Sequence, residues 1–315
     1  MATSGSTDYE ITGTLLIKNA LIDAGIIRDD QSVPTEMETF ALYRLNLLLK
    51  SYQAVGLHLW RTKNLSLILE DGKSDYTLGT GGDRWTETLV STTLGAAEAA
   101  AQTVLTVTSS TGMTASDVVG IELDDGTMDW TTIVSVDSAT QITVTTGLTS
   151  VAASSNVVYA YTSLAPQPLK VHEAYLVQKN TAESHIPLHI IPNAEYMTLP
   201  NKTTEGVPVQ IQFRPERTTS ELRVWPLSDD NTSYIVMTVE LPLEDMDSLS
   251  DTLGMPGYWM EAIHSELTYQ MGKSYGAPRE SVRMFKQDSM MAKEDAKAYG
   301  VENSYIQVSP DGYEW

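Results

Sequence analysis

Between Arg84 and Lys170 the chain holds not one lysine or arginine, although both occur throughout the rest of it. The same stretch carries eight carboxylates, on Glu87, Glu98, Asp117, Glu122, Asp124, Asp125, Asp129 and Asp137, in a background of Thr, Ser, Val and Ala. Short β-branched runs bounded by turn residues favour strands over helices. Five such runs, at 104–107, 118–123, 130–136, 141–145 and 156–161, recur at intervals of about a dozen residues. Asp125-Gly126 supplies a hairpin turn between two of them. The pattern predicts a small acidic all-β barrel or sandwich inserted into a host domain over residues 88–163.

The host has its helical signals at both ends. Thr7 with Glu10 has the spacing of a capping box, and Ile11, Leu15, Leu16, Ala20 and Leu21 follow at helical intervals up to Gly25. Pro34, then Thr35 with Glu38, opens a second run to Gly56, with Met37, Ala41, Leu45, Leu48, Leu49, Tyr52 and Val55 on one stripe. The short polar link at 28–34 predicts an antiparallel helical hairpin. The period then changes to two: Leu65, Leu67 and Leu69 alternate with Ser66, Ile68 and Glu70. Asp71-Gly72 and the renewed run at Tyr76 predict a first β-hairpin. Further strands are expected at 171–178, 185–191, 209–213, 222–225 and 234–241, with Val209, Ile211 and Phe213 facing a core and Gln210 and Gln212 facing water.

Trp259, Ile263, Leu267, Met271 and Tyr275 form the stripe of another helix, ended by Gly276, and Pro278 opens a last helix that runs to Gly300. The final residues, 301–315, are extended, and with Tyr305, Ile306, Tyr313 and Trp315 they are too aromatic for an inert tail. The expected fold class is α+β: N- and C-terminal helical hairpins packed with an antiparallel β region, plus the inserted β domain. Its parts are 1–87, the N-terminal helical hairpin and first β-hairpin; 88–163, the insert; 164–247, the remaining β region; 248–300, the C-terminal helical hairpin; and 301–315, an extended arm.

Charge and composition narrow the function. With 41 Asp and Glu against 20 Lys and Arg, the net charge is −21, which argues against a general binder of nucleic acid or anionic membranes. The absence of cysteine excludes disulfides, thiolate metal sites and Cys nucleophiles, and suits assembly in a reducing cytosol. Residues 1–10 have no basic n-region or apolar h-region, so a secretory signal is not expected, and no apolar run is long enough to span a bilayer.

Candidate catalytic constellations are unspecific. His185 and His189 flank Pro187; in a strand they would sit about 13 Å apart, too far for one metal. Ser184-His185 with Glu183 lacks an elbow motif. Gly79-Thr80-Gly81-Gly82 has no Lys-Ser/Thr after it and reads as a turn rather than a phosphate loop. Asp124-Asp125-Gly126 with Asp129 lacks the spacing of a calcium loop. No catalytic residue, metal or cofactor is expected.

One charged feature is less ordinary. Arg279, Arg283, Lys286, Lys293 and Lys297 fall at intervals of four, three, seven and four, which aligns them on one side of the last helix. Val282, Phe285, Ala292, Ala296 and Tyr299 are left for the core. Such a stripe is either a solvated face or a contact with an acidic neighbour or DNA backbone; in so acidic a protein it suits a contact between identical subunits. Six Trp and 15 Tyr against 3 Phe tilt the aromatics towards residues that serve interfaces.

The order of parts resembles a known family, the head-to-tail adaptor (head-completion or packaged-DNA stabilisation) proteins of short-tailed bacteriophages. The resemblance rests on Leu45-Asn46 followed by Leu49, Gly56-Leu57 with Trp60, and Tyr76-Thr77-Leu78-Gly79. It continues through Gly206 and Pro208 ahead of Arg214-Pro215, and Leu222-Arg223-Val224-Trp225-Pro226, to the closing helical hairpin and extended C-terminus. It covers most of the chain outside 88–163; the insert departs from compact members of the family.

The resemblance implies a structural, non-enzymatic virion protein, assembled in the host cytoplasm, in a ring of about a dozen copies under the portal. Its partners would be itself, the portal protein and downstream nozzle or fibre proteins, with double-stranded DNA passing through the lumen without sequence-specific binding and without a membrane. Tyr305, Ile306, Tyr313 and Trp315 would belong to the arm that meets the portal or a neighbouring subunit. Such a ring would carry roughly 250 negative charges before screening. Alternatives are a tail-tube or nozzle subunit, a receptor-binding tail protein using the insert, and, further off, a cell-wall glycosidase with Glu261 and Glu266 as acid and base.

Overall fold

The computed structural model describes residues 10–55, 61–178 and 184–299. The chain mixes α-helices with mainly antiparallel sheets. It divides into two compact units, one from the described parts of Met1–Arg61 and Leu243–Trp315, the other from Thr62–Pro242. No helix among the described residues is long and apolar enough to cross a membrane.

The first unit is helical. Thr12 caps α1 (Gly13–Asp23), its side-chain oxygen accepting from the Leu15 N–H. That displaces the cap expected at Glu10 and Thr7, the latter outside the described residues. Gly25 does end α1: its φ of +70° is a conformation glycine adopts freely. The Gly25 N–H bonds the Ile22 carbonyl and the Ile26 N–H bonds the Leu21 carbonyl, which together make a Schellman cap. In α2 (Thr35–Val55), Thr35 is already helical and the Pro34 carbonyl accepts from the Glu38 N–H, so Thr35 is not the flanking cap that the sequence suggested.

α1 has 11 residues against 21 in α2, and its main neighbour is α4 (Met260–Ser274) rather than α2. α4 buries Met260, Ala262, Ile263, Leu267 and Met271 against Leu16, Ile17 and Leu21 of α1 and Leu45, Leu48, Leu49 and Tyr52 of α2. Each such fully buried aliphatic side chain contributes about 2 kcal/mol of transfer free energy. The Ala277 N–H to Gly272 carbonyl bond closes α4, with Gly276 at φ +78°. The Pro278 carbonyl then accepts from Val282 at the start of α5 (Arg279–Tyr299).

In the second unit two sheets share a core. One has the order β11 (Ser184–Pro187), β10 (Lys170–Gln178), β15 (Tyr234–Glu240), β1 (Thr62–Ile68), β3 (Trp85–Thr86). The other runs β12 (His189–Ile190), β13 (Gln210–Pro215), β14 (Ser220–Trp225), β2 (Asp75–Leu78), with α3 (Asn193–Thr198) beside β13. The β-hairpin expected around Asp71-Gly72 is absent, because β1 pairs with β15 and β3 while β2 pairs with β14. The turn exists, with Gly72 at φ +66°, but the Tyr76 hydroxyl accepts from the Glu70 N–H at 2.9 Å and the segment turns a corner between sheets. Leu65, Leu67 and Leu69 from one side and Tyr76 and Leu78 from the other fill the same core, a burial that a tight hairpin would not achieve. The alternation expected over 209–213 is also incomplete: Gln212 is 2 % exposed and Val209, just ahead of β13, 39 %.

A six-stranded sheet follows the order β4 (Val90–Thr93), β9 (Val157–Tyr161), β6 (Val118–Glu122), β7 (Met128–Ser138), β8 (Gln141–Val144), β5 (Val104–Thr106). β4 is a strand the sequence pattern did not single out. The sheet curls until its edges meet at the Leu94–Val107 bridge, sealed by hydrogen bonds from Gly95 to Thr106 and from Thr108 to Thr93. Leu105, Val119, Ile121, Ile133, Ile142 and Val158 fill its interior. The charge pattern now has a local cause. Asp117 is 1 % exposed and accepts from the Thr114 N–H and hydroxyl; Glu98 accepts from Thr106, Glu122 from Val157, Asp124 from Ala153 and Asn156, and Asp129 from Thr149. Asp125 and Asp137 accept Thr and Ser hydroxyls, and among the described residues Glu87 alone of the eight meets a cation, Lys63 at 2.7 Å. Backbone N–H groups and hydroxyls do here what lysine and arginine would do elsewhere.

This curled sheet is clasped to the host strands within the unit. Tyr159 and Tyr161 pack with Ile68 and Tyr234, the Tyr159 hydroxyl donates to the Thr232 carbonyl, and Asn231 donates to Gly126 at 2.9 Å.

Candidate interaction surface

α5 packs along α4 and fully buries only Ser289 and Ala296. The predicted stripe forms, but not all five cations are equally free. Arg279, Arg283 and Lys286 are exposed, whereas Lys293 and Lys297 are half-buried. The Lys293 ammonium sits 4.4 Å from the centre of the Tyr52 ring. Burial holds its pKa below the ordinary lysine value and the Lys297 charge pushes the same way, while Glu266 and Glu294 oppose. Lys293 is therefore partly a packing residue. Arg283 reaches Glu280 only at 3.9 Å, with both side chains more than four-fifths exposed, a pair of little energetic consequence. Tyr305, Ile306, Tyr313 and Trp315 lie outside the described residues.

One cation also sits where helix stability does not ask for it: Arg279 is the first residue of α5, where the macrodipole favours acids. Met290 falls among the cations, and Met284 and Met291 lie on the outer face between them and Asp288, each more than half exposed. Arg279 and Asp288 are about two and a half turns apart and so lie on opposite sides of α5.

That opposite side borders a cleft of about 240 Å³, lined by Asp23, Glu261, His264, Ser265, Thr268, Phe285 and Asp288. Asp23, Glu261 and Asp288 are exposed, and Asp23 Oδ2 lies 3.4 Å from His264 Nε2. This feature escaped the sequence reading, although Glu261, His264, Ser265 and Thr268 stand at i, i+3, i+4 and i+7, a polar stripe along α4. Glu266 lies well round α4 from Glu261 and accepts from Gln270 and Ser289, so the two do not face a common substrate.

The remaining constellations take structural places. His185 lies beside Tyr175, with ring centres 5.1 Å apart and the planes tilted by 32°, while His189 lies on β12 in the other sheet. Gly79–Gly82 is a turn closed by the Gly82 N–H to Gly79 carbonyl bond. Asp125-Gly126 turns between β6 and β7, with Gly126 at φ +81°. No group of three His, Asp or Glu among the described residues is placed to hold a metal ion.

No family model matches the chain, and no curated protein matches it.

Proposed function

We propose that this chain is a structural subunit of the head-to-tail adaptor of a short-tailed bacteriophage. In this reading about a dozen copies form a ring beneath the portal, lengthen the DNA channel, help to retain the packaged genome and offer a platform to the nozzle or fibres. In this reading the helical unit drawn from both ends of the chain makes the ring body, and residues 301–315 dock on the portal or on a neighbour. The work is mechanical, and the protein resides in the virion neck.

The observation that carries the reading is the free basic side of α5 in a chain of net charge −21, on a helical unit drawn from both chain ends. A closed ring needs two different complementary faces on each subunit, and opposite charge supplies them at low cost in apolar exposure. The acidic remainder suits a conduit for DNA: a negative wall repels phosphates within a Debye length of about 8 Å and lets the duplex slide. The order of motifs from Leu45-Asn46 to Trp225-Pro226 supports the same family.

Electron microscopy of virions with the chain labelled tests the reading. Density for the label in a ring between portal and tail is expected. Its absence from the neck would refute the assignment.

A further inference from the structure

The ring reading leaves open which surfaces meet, and on that reading α5 suggests an answer. Its basic side presents Arg279, Arg283 and Lys286 to solvent; Arg279 and Lys286 have no ion-pair partner among the described residues. The opposite side of the same helix presents Asp288 beside a cleft whose rim holds Asp23 and Glu261. Each side lacks what the other offers. Met290, among the cations, and Phe285, in the cleft wall, give both sides an apolar element as well.

We propose that the basic side of α5 in one copy seats on the rim formed by Asp23, Glu261 and Asp288 in a second copy of this chain. Because donor and acceptor surfaces lie on opposite sides of one helix, the contact is head-to-tail and repeats from copy to copy. Exposed ion pairs are individually weak and screened by salt. A single contact is accordingly salt-sensitive, and closure of the ring supplies the avidity that holds it. Arg279 at the first position of α5, unfavourable for the helix itself, is explained by this role.

Sedimentation velocity of the full-length chain tests the contact directly. At low salt the protein should self-associate, with affinity falling about tenfold or more in high salt. The double variants Arg283→Glu/Lys286→Glu and Glu261→Lys/Asp288→Lys should each lose association by a similar factor, and an equimolar mixture of the two should recover it. Restoration on mixing also shows that both variants fold. Three results would overturn the contact: a wild-type chain that stays monomeric at low salt, double variants that associate like wild type, or a mixture that fails to recover. The ring reading is judged separately on the portal. If charge-reversed copies still form a ring there, this contact is wrong and the adaptor assignment stands; if the contact holds in solution but the chain never binds a portal, the assignment falls alone.

Discussion

The guanidinium of Arg84 lies 3.9 Å from the centre of the Trp130 ring. Arg84 is the last cation before the stretch that lacks them, and Trp130 belongs to β7 inside that stretch. Arg84 also binds the Glu70 carboxylate on the host side, and the Trp130 ring covers Gly120 on β6. A line of contacts thus runs from the curled sheet into the host strands, so the insert is part of the unit that carries it.

Removing either end of the Arg84–Trp130 contact should loosen that junction. Arg84→Ala and Trp130→Leu are each expected to lower stability, with a coupling of about 0.5–2 kcal/mol in a double-mutant cycle. Urea unfolding of the four proteins measures it. Additive effects would mean that the stacked geometry contributes nothing.

Gly120→Ala should cost about 1–3 kcal/mol. A Cβ there would stand 2.6 Å from the Trp130 ring, which must then leave its seat. Gly81→Ala, with nothing within 4 Å of the added carbon, is the matched control and should be near neutral. Thermal unfolding monitored by tryptophan fluorescence separates the two.

Acid should weaken the curled sheet through carboxylates that act as acceptors. The Asp137 pKa is held below its ordinary 3.8 by hydroxyls of Thr143 and Ser135, and that of Asp125 by the Thr127 hydroxyl and N–H. A depressed folded-state pKa means that the unfolded chain binds more protons as the pH drops. The contribution is complete above the ordinary value and disappears as pH falls through the depressed one. Carbon-detected NMR titration of Asp137 should give a midpoint below 3.8 that rises towards it in Thr143→Val. An unchanged midpoint would remove the hydroxyl as the cause.

Lys293 should tolerate loss of its charge. Burial lowers its pKa, so the folded protein disfavours the ammonium and stability from this group rises as pH climbs through the folded towards the unfolded pKa. Lys293→Met keeps the stem over Tyr52 and removes the desolvated charge, with an expected change within about 0.5 kcal/mol or a slight gain. Denaturant unfolding at neutral pH checks it; a loss above about 2 kcal/mol would show that the cation–π contact outweighs the desolvation.

Much of the fold was legible because local rules agreed with the tertiary outcome. The stripes Leu45, Leu48, Leu49, Tyr52 and Ile263, Leu267, Met271 are the helical core, and the strand runs of the cation-free stretch lie in β5 to β9. The Asp71-Gly72 corner misled because a turn signal fixes a change of direction but not which strand pairs with which. The capping signals misled because Thr12, not Glu10, adjoins the first helical residue of α1, and Thr35 is already helical in α2. Gln212 is buried where alternation wanted it outside, since β13 is covered on both faces at that point. The α5 stripe was readable from spacing alone, but the seat of Lys293 on Tyr52 joins residues far apart in sequence. For the same reason the cleft became visible only when α1, α4 and α5 came together.

The most direct measurement is the native mass of the full-length chain co-expressed with a cognate portal protein. A single complex is expected in which the portal ring carries about a dozen copies of this 34.6-kDa chain. A portal ring of unaltered mass, with this chain running separately as a monomer, would contradict its assignment to the adaptor.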